Sequence, residues 1–347
     1  MDNYDYGKLK FIAFLLFFNK EKQDNLIFND NIKLRKVYED EHDDFMENYP
    51  HIHPDVLTHV LEINVNENIL DIAKKWYDNH RFEEEDWEYL SDEDKEFYIK
   101  RILSDYLENL INSINIVINI PISIQALGKY VDSGFKDFWE FEDKFFASFS
   151  HEATINDKDV ELINNIFKKS NNLSLENKDG YKNNWWLLPF DYFEKYSDSS
   201  LLADQVIYLN IVLESLLSAN NENNEIGYRL RFRSALYLSK IAGIDSKFVQ
   251  NIIKETYNFR SRIVHGNSSL DEIENANIKR INEHNISLRA CIFIFQDLLR
   301  IMLKDAILNH AHKSKNEFIE YIDTICNNNQ SDIPYDLEEI EEYWDKL

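Results

Sequence analysis

Arg260 stands five residues before His265 in the run Tyr257-Asn258-Phe259-Arg260-Ser261-Arg262-Ile263-Val264-His265-Gly266, at the end of a helical pattern. An imidazole that titrates near neutrality can take the proton from a ribose 2′-hydroxyl, or return one to a leaving 5′-oxygen. A permanently charged guanidinium can stabilise the extra negative charge of a pentacoordinate phosphate. The pair therefore suits metal-independent cleavage of RNA to 2′,3′-cyclic phosphate and 5′-hydroxyl ends. Such chemistry needs no cofactor and no metal, and it spares DNA, which lacks the 2′-hydroxyl. In it His265 moves the proton and Arg260 holds the anion, while Ser261 and Arg262 add phosphate contacts.

Positioning is the first difficulty. On an ideal helix, residues five apart are separated by roughly 140°, so Arg260 and His265 do not stack as an i, i+4 pair would. They converge only where the helix ends or bends near His265, and Gly266 directly afterwards supplies that ending. Cations near a helix C-terminus are also favoured simply by the macrodipole, and an RxxxxH spacing recurs by chance.

The surroundings add weight. The window LRFRSALYLSKIAGIDSKFVQNIIKETYNFRSRIVHG resembles the HEPN superfamily, most closely its Apea-like branch, whose members share RxxxxH with a polar residue after the arginine. DQVIYLNIVLESLL resembles the family's first helix and Tyr228 to Leu238 its second; the likeness is strongest from Leu201 to Leu303. The resemblance implies a helical bundle, a homodimer in which two motif helices form one cleft, RNA as substrate, and work in anti-phage defence or a toxin system. It also implies an antitoxin or other regulatory partner. HEPN toxins paired with nucleotidyltransferase antitoxins carry a tyrosine two residues after the histidine; here that position is Asn267, which puts control by tyrosine modification in doubt. The competing reading is a non-catalytic HEPN module that binds nucleotides or nucleic acid, or serves dimerisation.

Charge is distributed to match a local polyanion site. The net formal charge of -25 argues against a general nucleic-acid coat. Between Ile226 and Gly266, however, eight cations (Arg229, Arg231, Arg233, Lys240, Lys247, Lys254, Arg260, Arg262) face two anions (Asp245, Glu255), a local balance of +6. Arg229 and Arg233 are candidate phosphate-binding residues; because Arg229, Arg231 and Arg233 alternate, at most two of the three line one groove. Glu214, inside an apolar helix, is expected to pair with one of these three.

The elements that must carry the site follow from periodicity. Apolar residues make up 44% and aromatics 14% of 347 residues, with only 7 Gly and 5 Pro, which describes a globular chain rich in long helices. Lys8 to Phe18, Leu26 to Val37 and Leu57 to Val65 read as strands, and the acidic blocks Tyr38 to Tyr49 and Phe82 to Phe97 as solvated helical faces. Ser91 and Asp94 cap a helix that Pro121 ends; Ile122 to Val131 is extended, Phe135 to Phe149 an aromatic helix or loop, Asp157 to Lys169 a helix and Ser170 to Asn184 a loop. Four helices follow: Leu201 to Leu217, Ile226 to Ile241, Ser246 to His265 and a long one over Leu270 to Leu308; an added helix covers Asn316 to Cys326. The fold class expected is an α+β N-terminal region before an all-α helical bundle, which the resemblance implies is of the HEPN kind, mainly α overall. Its parts are an accessory or sensing region over 1–190, the bundle over 199–310, and a C-terminal helix with acidic tail over 311–347.

Other classes fall away. No Gly-rich phosphate loop, GxSxG or HExxH occurs. The apolar run Phe11 to Phe18 is about eight residues, against roughly 20 needed to span a bilayer, so no membrane role and a cytoplasmic location are expected. Cys291 and Cys326 lie too far apart for metal-ligand spacing. His51 and His53 are a weak metal pair read as loop or strand surface, and Trp185 and Trp186 read as core rather than base-stacking residues. The acidic tail Asp332 to Asp345 is a solvated end, or a phosphate mimic that folds over the cationic strip.

Overall fold

The computed structural model describes residues 10–16, 26–29, 32–48, 57–65, 67–80, 86–118, 124–131, 134–140, 155–174, 184–199, 201–219, 226–266, 279–281 and 284–327. The chain is mainly α-helical with an α+β N-terminal region, and it divides into two units, Met1–Lys178 and Asp179–Leu347.

The first unit is organised by a six-stranded antiparallel sheet in the order β2-β3-β4-β1-β5-β6: β1 Lys10–Leu16, β2 Leu26–Asn29, β3 Ile32–Lys36, β4 Leu57–Asn64, β5 Ile124–Val131 and β6 Gly134–Glu140. Register places Ile32 opposite Ile63 and Leu34 opposite Leu61. His59, Val60 and Leu61 are consecutive buried residues of β4, as befits a strand flanked on both edges and covered on both faces. The stretch from Phe135, expected as helix or loop, is instead β6 up to Glu140, paired with β5; residues 141–149 lie outside the described part. Its sequence GFKDFWE sets Lys136-Asp137 beside Phe138-Trp139 and so lacks the two-residue period of a half-buried strand; pairing with β5 makes it one.

Helices α1 (Glu39–Asn48), α2 (Glu67–His80), α3 (Asp92–Val117) and α4 (Asp157–Ser174) complete this unit. Ser91 caps α3 by accepting the Asp94 amide at 3.1 Å and donating to the Asp94 carboxylate at 2.5 Å. The helix stops at Val117, before Pro121, which lies outside the described residues. Tyr106 of α3 packs edge-on to Phe167 of α4 at 4.7 Å. The acidic helix α1 is a solvated face with an exception: Glu41 is buried beside Arg35. Arg35 donates from Nη1 and Nη2 to Glu41 at 2.7 and 2.6 Å, and from Nε to Glu62 at 2.6 Å, which ties β3 to α1 and β4. Burial alone would weaken the charge on Arg35, but the hydrogen bonds to Glu41 and Glu62 outweigh it and keep the guanidinium protonated.

The second unit is built from α5 (Leu187–Asp198), α6 (Leu202–Leu217), α7 (Ile226–Ala242), α8 (Ser246–Val264), α9 (Leu288–Asp305) and α10 (Lys315–Asn327). Helices α6, α7, α8 and α9 share one core in which Leu213, Tyr237, Leu238, Ile252, Phe295 and Leu299 are fully buried. Helix α10 packs on α7 through Phe318, whose ring meets Tyr237 edge-on at 5.8 Å. The long helix expected over Leu270 to Leu308 is not continuous. A short hairpin, β7 Lys279–Ile281 with β8 His284–Ile286, precedes it, and α9 begins where Ser287 accepts the Ala290 amide at 3.2 Å. Strands of this length leave no periodic trace in sequence. Among the described residues no helix is long and apolar enough to cross a membrane.

Candidate functional site

Helix α8 carries the motif, and its two ends are defined by local chemistry. Gly243, at φ 69°, turns the chain after α7, and Asp245 caps α8 by accepting the Phe248 amide at 2.7 Å. At the other end the His265 amide donates to the Ser261 carbonyl and the Gly266 amide to the Ile263 carbonyl, both at 3.1 Å, with Gly266 at φ 63°. The helix stays regular through Val264, so it does not bend between Arg260 and His265.

Amphipathicity then sorts the motif residues. Phe248, Val249, Ile252, Ile253, Thr256 and Phe259 form the buried stripe of α8. Arg260 lies one turn past Thr256 at the margin of that stripe, and its side chain is half-buried against α6. There Nη2 stands 3.7 Å from Glu214 Oε1, with 31% of the arginine and 28% of the glutamate side chain exposed. That distance is beyond hydrogen-bond length, so the pair is loosely held. Glu214 thus faces Arg260 on α8 rather than an arginine of α7. Arg260 also leans over the Tyr257 ring at 5.8 Å. Burial first, and then the Glu214 charge, push the Tyr257 phenol up, with Arg260 opposing them.

His265, well round the helix from Arg260, is exposed, as is Val264 beside it. Within one chain the structure places guanidinium and imidazole in different settings, one against α6 and the other at the open helix end. Ser261 and Arg262 are half-buried, and the Arg262 guanidinium sits 4.6 Å over the Phe259 ring.

The α7 arginines divide sharply. Arg229 is exposed in the first turn. Arg233 is buried: Nε and Nη2 donate to both Asp323 oxygens at 2.7 and 2.9 Å, and Nη1 donates to the Leu217 carbonyl at 2.8 Å. All three nitrogens of that guanidinium are committed inside the bundle, so Arg233 is a bracket between α6, α7 and α10 rather than a phosphate contact. Arg231 is half-buried, and its Nε donates to the Gly227 carbonyl at 3.1 Å.

Sequence reasoning passed over a second titratable group, in the segment DAILNH. Asp305 accepts hydrogen bonds from the Tyr237 hydroxyl and from Asn309 Nδ2, and lies 3.4 Å from His310 Nε2 at the end of the π-helical turn Ala306–His310. The buried His310 Nδ1 has no partner, and the ring packs against Tyr321 at 4.6 Å and Phe318 at 5.4 Å. Burial lowers the His310 pKa, Asp305 opposes this, and Lys313 and His312 reinforce it. The Asp-x4-His spacing was the available signal.

The weaker candidates resolve simply. Trp186 is buried; Trp185 stacks on Phe318 at 4.4 Å and donates from Nε1 to the Lys313 carbonyl, so both serve the core. Buried Cys291 has its thiol pushed up to about 12 by burial and by Glu255. No group of three or more His, Cys, Asp or Glu side chains among the described residues is arranged to hold a metal ion. His51, His53, Asn267 and the tail from Asp332 lie outside the described residues.

Compared with protein-family models, curated proteins and solved structures, the chain matches none of them.

Proposed function

We propose that the protein is a cytoplasmic, metal-independent endoribonuclease of the HEPN type, acting as a homodimer in a defence or toxin system. The observation that carries this reading is the state of Arg260. It is the motif arginine, it is half-exposed, and the carboxylate that faces it among the described residues, Glu214, stands at 3.7 Å. A scissile phosphate can displace so loose a contact at little cost, whereas the Asp323 grip on Arg233 would resist it.

Because α8 runs straight through Val264, the chain's own His265 is turned roughly 140° from Arg260. A second copy that sets its α8 across this one would supply an imidazole near Arg260. The exposed apolar Val264 next to His265 suits burial in such a contact. His265 then transfers the proton and Arg260 stabilises the phosphorane, with Ser261, Arg262 and Arg229 as the proposed phosphate contacts. The straight helix also favours the alternative, a non-catalytic binding or dimerisation module, if no second copy completes the cleft.

The test is cleavage of end-labelled RNA with EDTA present, comparing wild type with Arg260→Ala and His265→Ala. Wild-type cleavage to 5′-hydroxyl ends that both changes abolish is the expected result. Activity that survives both changes rejects the site. Absence of cleavage by a wild-type dimer favours the binding module.

A further inference from the structure

The first turns of α7 carry an arrangement that the RxxxxH chemistry leaves unused. Tyr228 is 58% exposed, and its ring is nearly parallel to that of Phe232, 9° apart in plane with centroids at 6.2 Å. The Arg231 guanidinium stands 5.9 Å from the Tyr228 centroid, and its Nε is anchored to the Gly227 carbonyl at 3.1 Å. Gly227 fits beneath Tyr257 of α8, because a Cβ there would meet the Tyr257 ring at 3.1 Å. The two helices therefore close on each other at this point, and on the α8 side the Arg260 guanidinium stands 5.8 Å from the Tyr257 centroid.

These features share a chemical logic. A large aromatic ring left in water, backed by a second ring and flanked by a guanidinium, is a poor surface for solvent and a good one for a flat π face. Helix α7 contains no aspartate or glutamate between Ile226 and Ala242, on a chain whose net charge is -25. A base offers the flat face and its phosphates the complementary charge; duplexes hide the former inside their stack.

We infer that Tyr228, with Phe232 behind it and Arg231 beside it, is a base-stacking platform for an unpaired nucleotide whose backbone runs towards Arg260. The inference rests on the nuclease reading only for the direction of the strand, and it deepens that reading by naming a single-stranded segment as the feature gripped.

The experiment uses full-length protein and a short single-stranded oligoribonucleotide that carries 2-aminopurine and is 2′-O-methylated throughout, so that it cannot be cut. Wild type should raise its anisotropy and quench its fluorescence. Tyr228→Ala should weaken binding about ten-fold, the scale of one lost base stack, and abolish quenching, while Tyr228→Phe retains both. The same sequence annealed to its complement should bind independently of residue 228. Binding by Tyr228→Ala equal to wild type, no quenching by wild type, or a change of oligomeric state in light scattering that accompanies the loss would each overturn the platform. Cleavage assays on unmodified RNA separate the two readings. Stacking by a protein that cuts nothing removes the nuclease alone, and cutting indifferent to Tyr228→Ala removes the platform alone.

Discussion

Arg233 on α7 and Arg260 on α8 sit on adjoining helices of one bundle, each faces a carboxylate, and they are held in opposite ways. Arg233 meets Asp323 bidentately at 2.7 and 2.9 Å with 7% of its side chain exposed, and it spends its remaining nitrogen on a backbone carbonyl. Arg260 faces the Glu214 carboxylate at 3.7 Å and is 31% exposed. Arg35 in the first unit goes further than Arg233, enclosed by Glu41 and Glu62. The difference separates guanidiniums that hold helices and strands together from one available to something outside the chain. Residue type and local charge count do not make that distinction; the number of committed nitrogens does.

The comparison breaks most visibly at its enclosed end. Arg35→Ala strips buried Glu41 of its guanidinium partner and should cost about 3–5 kcal/mol in denaturant unfolding of the first unit. Arg233→Ala should cost less, about 1–3 kcal/mol, because the Leu217 carbonyl is orphaned while Asp323, 44% exposed, rehydrates. Scanning calorimetry ranks these two, and equal losses would erase the distinction between an enclosed and a half-open carboxylate. Arg260→Ala should shift stability by under about 1 kcal/mol while RNA cleavage falls about 100-fold or more. A large stability loss with cleavage intact would move Arg260 into the structural class.

Acid sharpens the contrast from another side, since His310 packs against Phe318 and Tyr321 of α10, the helix that Arg233 ties to α7. Burial holds the His310 pKa below its unfolded value, so the unfolded chain binds the proton more readily. Stability should decline as pH falls through the ordinary histidine value of about 6.5 and level off below His310's own lower value. Unfolding midpoints of wild type and His310→Phe between pH 8 and about 5 should show a decline smaller in the variant. The smallest expected effect is chemical: Cys291 should resist alkylation by iodoacetamide at neutral pH until the protein unfolds, because its thiol sits at about 12.

Much of the helical frame was readable from periodicity. Leu202–Leu217, Ile226–Ala242 and Ser246–Val264 each begin and end within one residue of the expected bounds, and Leu209, Leu213 and Leu216 are buried as one stripe. Gly243 and Gly266 mark the turns because only their positive φ allows them. What stayed hidden was partnership. Periodicity places Glu214 and Arg233 on inward faces but does not say that one meets Arg260 and the other Asp323, ninety residues away in sequence. Likewise Phe135 to Glu140 reads as an aromatic cluster until β5 is beside it, because a strand's identity lies in its neighbour. The hairpin before α9 was lost because three residues hold too little pattern to register.

Helix α10 has a practical implication for anyone who shortens the protein. Lys315 reaches back to the Ser215 and Leu216 carbonyls at the tail of α6, and Asp323 completes the bracket on Arg233. Trimming the chain after residue 311 would strip both fastenings at once and bare the Tyr237 edge to solvent. Any minimal fragment meant to keep Arg260 in place has to extend through Asn327.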